Sequence, residues 1–383
     1  MRAVNVKWMT SEADLHGLEA GWRALESRVP GLLPFQTYDW NVCWWRHFAR
    51  NAVWIKDQLL IAAVYDQETL VAVMPLMNTR IGHGDFHVYR NVRPFGADPN
   101  LTELRVPLVD PAYTEALALV WDQLAERETF GLTEFQMVLP DALTAATLEH
   151  TPHLHLLTQR MIPNFIVELG DDWEQFRSGL KRNIKESLRR CYNSLKRDEL
   201  SHRLEVLRGE QIMAVLPRFY ALHGMRASAE DTIAHPDYFC IEHHRRLIED
   251  MIASGSAQRC CMLVLYVGEQ AVAMRLAFAM PDELYLYYSG YDLAYGRYSV
   301  MTTLVAETMK WAIEQGYRRV NLSIGEDVSK TRWGPLEVRY QEVQCVRNAG
   351  WRIAMARSMN AVRSARRKLR AKSLQNNEIL PVA

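Results

Sequence analysis

The stretch from residue 284 to residue 333 constrains the fold of this chain more than any other. Side chains alternate over residues 284–290 with the period of two that a pleated strand imposes. After a loop, an amphipathic helix begins near Thr302 and ends at Gly316, and a second strand follows over residues 318–324. This order predicts a βαβ unit, in which two parallel strands are joined by a helical crossover.

A βαβ unit places the start of its helix beside the carboxyl end of its first strand. The first amides of the helix have no partner within the helix, and the dipole is positive at that end. The loop over residues 291–299 and the start of the helix therefore suit a phosphate group.

A dense set of residues in this stretch follows a familiar spacing. They are Gly290, Tyr291, Asp292, Tyr295, Arg297, Ser299 and Leu304, then Gly325, Glu326, Asp327, Lys330, Arg332, Trp333 and Gly334. In this order they resemble the GNAT-superfamily acyltransferases of the CelD-like, BioF-adjacent branch, and the segment PFQTYDWNVCWWRHF at 34–48 is similar to the opening of that family. The chain departs from the family at Val300 and Met301, which replace Pro-Gly, and at Asn321 and Ser329, which replace Asp and Tyr.

The resemblance implies an α/β fold with mixed sheets and two tandem GNAT-like domains, of which the C-terminal one is the complete acyl-CoA-binding core. In that fold the strands splay after the first strand of the unit, and the pantetheine chain of acetyl-CoA or another acyl-CoA pairs with the freed backbone. The implied cofactor-binding residues are Tyr288, Ser289, Gly290, Arg297, Tyr298, Ser299, Val300, Met301, Thr302 and Thr303.

Candidate catalytic residues follow the two strands of the unit at their carboxyl ends, where ligands of open α/β sheets bind. Amine acylation needs a base for the ammonium proton and a group that stabilises or protonates the leaving thiolate. The candidates are Tyr291, Asp292, Glu326, Asp327 and Lys330. The alternative for the last three is a solvated helix cap with an exposed ion pair.

The order of elements repeats along the chain. The N-terminal half has a hairpin over residues 59–77, a broken segment at 82–100, a strand at 103–109, a helix at 111–128 and a strand at 134–139. The C-terminal half has helices at 172–197, 212–227 and 236–253, a hairpin at 259–279, and then the βαβ unit. We predict a degenerate GNAT-like domain at 1–165, the acyltransferase domain at 166–350 and a basic helix and tail at 351–383.

Composition excludes several classes. Lys plus Arg and Asp plus Glu both number 45, so no overall field marks a DNA-binding or membrane protein. The six cysteines show no paired framework, the first residues lack an apolar signal core, and no apolar run reaches the roughly 20 residues of a membrane span. We expect a cytoplasmic protein without a transmembrane segment. His150, His153 and His155 lack the Cys or carboxylate partners of a metal site, so no metal is expected.

A basic amphipathic stretch at 177–197 carries eight basic residues and one acid, opposite an apolar stripe. We interpret it as a docked helix with a solvated face. An anionic acceptor, an anionic membrane surface and RNA are the alternatives. The aromatic residues Trp40, Trp44 and Phe48 share one helix face and are interpreted as core.

The leading hypothesis is an acyl-CoA-dependent acyltransferase, with acetyl as the first choice of acyl group. Its acceptor is an amine or hydroxyl of a small molecule or saccharide, in polysaccharide or small-molecule metabolism. The alternatives are an aminoacyl-tRNA-dependent transferase of the Fem type and a non-catalytic interaction protein. One acyl-CoA is expected per chain, because the N-terminal junction Val109-Asp110-Pro111 is too short for a phosphate cradle.

Overall fold

A computed structural model describes residues 4–83, 86–98, 100–127, 132–228, 236–254 and 258–377. Its strands are β1 (Asn5–Met9), β2 (Asn51–Ala52), β3 (Ile55–Leu59), β4 (Ile61–Asp66), β5 (Thr69–Met74), β6 (Leu76–His83), β7 (Phe86–Pro94), β8 (Leu108–Val109), β9 (Leu132–Pro140), β10 (Leu154–Glu168), β11 (His202–Arg208), β12 (Cys260–Val267), β13 (Gln270–Ala279), β14 (Glu283–Tyr291), β15 (Arg319–Ile324) and β16 (Leu336–Arg347). Its α-helices are α1 (Glu12–Gly17), α2 (Glu19–Glu26), α3 (Tyr38–Phe48), α4 (Ala116–Arg127), α5 (Asp141–Glu149), α6 (Trp173–Gly179), α7 (Arg182–Arg197), α8 (Gln211–Ala227), α9 (Glu242–Ala253), α10 (Val300–Glu314), α11 (Val328–Thr331) and α12 (Gly350–Asn377).

The predicted βαβ unit is confirmed. β14 and β15 are parallel and α10 connects them, within a residue or two of the bounds expected from sequence. The turn after α10 uses Gly316 at φ +79°, a left-handed conformation that glycine adopts without the cost of a Cβ atom. Because both termini of the crossover are marked locally, the sequence was sufficient to place it.

The described strands form two sheets, and both mix with helices as expected for the α/β class. The large one has twelve strands in the order β11-β12-β13-β14-β15-β10-β16-β9-β7-β6-β3-β2, and the small one has the order β1-β4-β5-β8. β3 continues into β4 and β5 into β6, so a single long hairpin bends from the small sheet into the large one.

The large sheet contains the predicted repeat. Reading outward from its centre, β10-β15-β14-β13-β12-β11 and β16-β9-β7-β6-β3-β2 have the same sequence of pairings, antiparallel except for the parallel pairs β14–β15 and β7–β9. The two halves therefore share one strand plan without sharing a sequence, as the tandem GNAT-like interpretation requires.

The halves exchange strands at the centre of the sheet. β10 follows the N-terminal half in the chain but pairs with β15, whereas β16 ends the C-terminal half and pairs with β9. β10 and β16 pair with each other along most of their length. The predicted boundary near residue 165 lies inside β10, and the division into domains stays a prediction.

Two predictions for the N-terminal half were wrong. The segment predicted as broken, 82–100, contains β7, which pairs with β6 and supplies the parallel partner of β9. The strand predicted at 103–109 pairs only at β8. Its alternation is real, because Leu104, Val106 and Leu108 are buried, but the preceding backbone bonds to side chains of β14 rather than to a strand.

Helix α3 carries the aromatic cluster into the core, as predicted. Trp40 and Trp44 are almost fully buried, and Trp40 makes edge-on contacts with Phe278 and Tyr287 of the other half.

The predicted basic helix is two helices, α6 and α7, separated at Leu180 and Lys181. In the part of the chain that the structure describes, no helix combines the length and apolar character needed to cross a membrane.

Candidate functional site

The two parallel strands of the βαβ unit separate soon after they begin. They pair only from Glu283 with Arg319 to Tyr285 with Asn321. Beyond this point β14 stays on β13 and β15 stays on β10. A cavity of about 700 Å³ fills the opening, between residues 287–291 and residues 322–325. The splayed strands expected from the family resemblance are present.

One wall of this cavity is the start of α10. Ser299 lies just before the helix at φ +53° and ψ +42°, and its carbonyl accepts from the amides of Thr302 and Thr303. Among the hydrogen bonds of the described residues, the amides of Val300 and Met301 have no partner. Residues 299–302 line the cavity, so two free amides and the positive end of the helix dipole lie at its edge.

The structure brings most of the predicted residues to the cavity. They are Tyr288, Ser289, Tyr291, Ser299, Val300, Met301, Thr302, Glu326, Asp327 and Lys330. The backbone of Ser289 is already partly used, because its carbonyl accepts from Nδ1 of His223 on α8 at 3.0 Å.

Five predicted residues lie outside the lining. Gly290 packs against α8, where a Cβ atom would lie 2.3 Å from the backbone nitrogen of His223. Asp292 caps the turn after β14 through the amide of Ala294 and forms an ion pair with Arg218 at 3.3 Å. The remaining three are placed as follows: the Arg297 side chain is 71% exposed and pairs with Asp198, the buried Tyr298 donates to Asp198, and Thr303 is fully buried.

Lys330 is the predicted residue with the most unusual environment. Its ammonium donates to Ser323 Oγ at 3.1 Å and to the carbonyl of Ile324, so α11 holds it against the end of β15. Burial lowers its pKa to about 8, against an opposing effect of Glu103. A lysine that titrates near neutral pH can give or take a proton during a reaction.

The two acids near Lys330, Glu326 and Asp327, have ordinary environments for acidic side chains. Asp327 caps α11, because its Oδ1 accepts from the amide of Ser329 at 2.6 Å. Glu326 is exposed at the rim of the cavity. The helix-cap alternative weighed for this group therefore describes Asp327, although both acids still line the cavity.

Sequence reasoning missed a third carboxylate, which comes from the other half of the chain. Glu103 lines the cavity and accepts a hydrogen bond from the Tyr285 hydroxyl. Burial raises the pKa of Glu103 to about 7, while Tyr285 and then Lys330 act in the opposite direction. A carboxylate with a pKa near the working pH is suited to general-base catalysis.

The segment that carries Glu103 is fixed by the tyrosines of β14. Tyr288 donates to the carbonyl of Asn100 at 2.6 Å, and Tyr287 donates to the carbonyl of Leu101. Successive residues of one strand thus bind successive groups of the N-terminal half. The crowded tyrosines of this strand were the sequence signal, but nothing local identified their partner.

Two arginines were also missed. Arg275 of β13 lies beside Ser289 of β14 in register, and Arg226 is near the end of α8. Both line the cavity. Arg275 could have been noticed, because it is the charged residue inside an otherwise apolar strand, AVAMRLAFA.

The histidines near residue 150 have ordinary partners. Within the described ranges, no three His, Cys, Asp or Glu side chains are grouped as metal ligands. His153 instead contacts Asp122 at 2.8 Å, and Nδ1 of His150 contacts the carbonyl of Ala146. The groups that line the cavity include a carboxylate with a pKa of about 7, an ammonium with a pKa of about 8, two guanidinium groups and a helix N-terminus.

Comparison with solved structures identifies the fold. The chain resembles FemX with a TM-score of 0.57 and 11% identity, over 88% of this chain and 96% of that one. It also resembles a conserved protein of unknown function from Bacteroides thetaiotaomicron VPI-5482, with a TM-score of 0.53 and 12% identity over 89% and 100% of the two chains. A third similar structure is the C-terminal domain of a putative lysylphosphatidylglycerol synthetase from Agrobacterium fabrum, with a TM-score of 0.50 and 12% identity over 90% and 96%.

Comparison of sequences gives a match for only part of the chain. No curated protein matches the chain. Residues 182–333 match the family described as acetyltransferase (GNAT) domain, a segment that runs from the start of α7 to the end of the cavity lining at Trp333. Residues 182–333 are therefore similar to a GNAT acetyltransferase domain. The cavity between β14 and β15 lies within this matching segment, except for Glu103, which lines it from outside the match.

Proposed function

We propose that the protein transfers an acyl group from a CoA thioester to an amine, in the cavity between β14 and β15. The observation that carries this proposal is the set of groups that share one cavity. The free amides of α10, the carboxylate of Glu103 and the ammonium of Lys330 all lie in its lining. Acetyl is the acyl group we propose first, because the matching family is one of acetyltransferases.

The proton transfers follow from the two pKa values. The neutral amine attacks the thioester carbonyl, a C–N bond forms, and the C–S bond breaks. Glu103, with a pKa of about 7, accepts the proton that the amine loses. Lys330, with a pKa of about 8, supplies a proton to the leaving thiolate. The products are the amide and the free thiol of CoA, so atoms and charges balance.

CoA would bind at the start of α10. Its pyrophosphate would accept hydrogen bonds from the amides of Val300 and Met301. These residues replace the family's Pro-Gly, and Met301 keeps the backbone amide that the family's glycine provides. Thr302 adds a hydroxyl at the same edge. The CelD-like branch assignment belongs to this proposal, as does a saccharide or small-molecule acceptor. A cytoplasmic location is proposed too, since the six cysteines are free thiols.

The direct test is a thiol-release assay with acetyl-CoA and a panel of amines. We expect release of free CoA that depends on an amine and is lost in Glu103→Gln. Glu337→Gln is the matched control, because that carboxylate is an exposed partner of Arg339 on β16. Amine-independent release, or equal rates in both variants, would contradict the proposal. Mass spectrometry of small molecules that co-purify with the protein would identify CoA independently.

A second candidate function rests on the face of α7. A depression of about 800 Å³ between α6, α7 and α10 is lined by Arg177, Lys185, Arg189 and Lys310. Such a basic surface suits RNA, and we therefore retain an aminoacyl-tRNA-dependent transferase of the Fem type as the alternative. Titration with tRNA separates the two: that function requires binding whose log–log slope with salt approaches about minus one per phosphate contact.

The apolar side of α7 favours the first function. Ile184, Leu188, Cys191 and Leu195 of α7 are buried, and Ile184, Leu188 and Leu195 belong to the core cluster of the C-terminal half. Much of the basic charge is then the solvated face of a docked helix, as predicted. Salt-insensitive or undetectable tRNA binding is the result we expect.

A further inference from the structure

Two guanidinium groups meet at one hydroxyl inside the cavity. Arg226 Nη1 donates to Ser289 Oγ at 2.6 Å, and Arg275 Nη2 donates to the same oxygen at 3.2 Å. The three residues come from α8, β13 and β14, so the arrangement is fixed by packed elements rather than by a loop. All three line the cavity.

Within the described ranges, the positive charge of Arg275 is not balanced by an ion pair. Burial lowers the pKa of Arg275, and the nearby charge of Arg226 lowers it further. Arg275 Nε is buried without a hydrogen-bond partner, and Arg275 has no ion pair within the described ranges. A guanidinium remains protonated even so. A buried charge of this kind is costly unless a ligand of opposite charge joins it.

The carboxylate whose charge acts on Arg275 does not fill this role. Glu103 is the opposite charge that acts on Arg275, but its bonded partner is the Tyr285 hydroxyl. Its raised pKa also leaves it only partly ionised at neutral pH.

The hydroxyl of Ser289 still has a proton that it can donate in a hydrogen bond. A serine oxygen has two lone pairs and one proton, and the two arginines occupy the lone pairs. The proton is therefore directed away from both guanidinium groups. Among the described hydrogen bonds, none accepts it. Ser289 can thus donate to the same anion that the arginines attract.

We infer that Arg226, Arg275 and Ser289 form a subsite for an anionic group, a carboxylate or a phosphate, carried by the amine acceptor. This inference rests on the proposed function, since it names the class of acceptor for the same cavity. The anion binds at the arginines, and the amine reaches Glu103, which lines the same cavity. The pyrophosphate of CoA has its own place at α10, on the wall formed by residues 299–302.

Binding is measured first, without any reaction. Calorimetry with inorganic phosphate and, separately, with acetate should give saturable binding to the wild-type protein. Arg275→Met should weaken it by at least about tenfold, the loss of a charge-assisted contact. Arg339→Met is the control, because Arg339 is an exposed arginine paired with Glu337 on β16. Equal binding in the two variants overturns the inference.

The same variants separate this subsite from the CoA site. Binding of CoA should be unchanged in Arg275→Met. If CoA binding is lost instead while small anions still bind, the arginines serve the thioester donor and the inference is wrong. Anion binding that depends on Arg275 in a protein that acylates no amine supports the subsite and contradicts only the proposed function.

Kinetics distinguish the two sources of the anion. An amino acid and its carboxamide are compared, and then an amino-sugar phosphate and the unphosphorylated amino sugar. The charged member of one pair should have a KM at least about tenfold lower, and Arg275→Met should remove that difference. The pair that responds identifies a carboxylate or a phosphate, and no response in either pair overturns the inference.

A folding control accompanies these tests. Removing a buried unpaired charge should leave the Tm of unliganded Arg275→Met unchanged or raise it. Ser289→Ala retains both arginines and is expected to weaken anion binding severalfold. A marked loss of stability in Arg275→Met, together with normal anion binding in Ser289→Ala, would assign these residues to the fold and overturn the inference.

Discussion

The carboxylate of Glu103 accepts a hydrogen bond from the hydroxyl of Tyr285, and this contact joins the two halves of the chain inside the candidate site. Glu103 precedes the GNAT domain match at 182–333 by about eighty residues, yet it lines the domain's cavity. The N-terminal half therefore contributes a titratable group to the cavity.

Glu103→Gln should remove the acidic limb of the pH profile. In the wild-type protein kcat/KM is expected to rise through pH 7, because the pKa of Glu103 is about 7 and a base acts when deprotonated. The variant should lose at least about tenfold in rate, equivalent to about 1.4 kcal/mol. A profile that retains its acidic limb in Glu103→Gln would assign the base elsewhere.

The same residue has a consequence for stability. Its folded pKa of about 7 exceeds the ordinary value of 4.5, so folding binds a proton between those values. The free energy of unfolding should therefore fall as pH rises from 4.5 to 7. Urea unfolding at both ends of this interval checks it, and Glu103→Gln should reduce the fall.

Lys330 should control the alkaline limb. Its pKa of about 8 means that the proton for the leaving thiolate is lost above that pH. Lys330→Arg keeps the positive charge but does not titrate in this range, so the decline of kcat/KM above pH 8 should disappear even if the rate is lower. An unchanged alkaline limb would exclude Lys330 as the proton donor.

Sequence was sufficient for the parts of the fold that carry local signals. The alternation in β14 and the stop at Gly316 were sufficient to predict the βαβ unit, and the hairpin predicted at 259–279 corresponds to β12 and β13. It was not sufficient for β6 and β7, where Gly, His and Pro suggested a broken segment. Strand formation there depends on pairing with β3 and β9, which are distant in sequence.

In the candidate site, too, residues with local sequence signals were predicted, and residues that depend on tertiary packing were not. Residues 299–302 and Lys330 follow elements that the sequence marks, and they were found. Glu103, Arg226 and Arg275 come from three separate segments, and only tertiary packing brings them to one cavity. Gly290 was assigned to the cofactor from its motif position, whereas the structure places it under α8.

Gly290→Ala should destabilise the protein through that contact. Its Cβ atom would lie 2.3 Å from His223 N and 2.4 Å from Leu222 C, both rigid backbone atoms of α8. Overpacking of this kind costs about 1–3 kcal/mol. Gly17→Ala is the control, since nothing lies within 4 Å of its Cβ position. Equal stability of the two variants by urea unfolding would show that α8 shifts without cost.

The final prediction concerns the acyl donor: each chain binds one CoA, at α10. In the described part of the N-terminal half, Asp110 puts a carboxylate at the turn Pro111–Tyr113 that precedes the crossover helix α4, where it accepts from the amide of Ala112 at 3.0 Å. That charge opposes a second anion.

Thr302→Asp would place a carboxylate in the same way at the start of α10. A carboxylate in the first turn should stabilise the helix by about 0.3–1 kcal/mol while it repels the pyrophosphate. We therefore expect an equal or higher Tm and at least about tenfold weaker CoA binding by calorimetry, whereas the uncharged Thr302→Asn retains most of the affinity. A stoichiometry of two per chain, or equal weakening in Asp and Asn variants, would show that α10 is not the phosphate site.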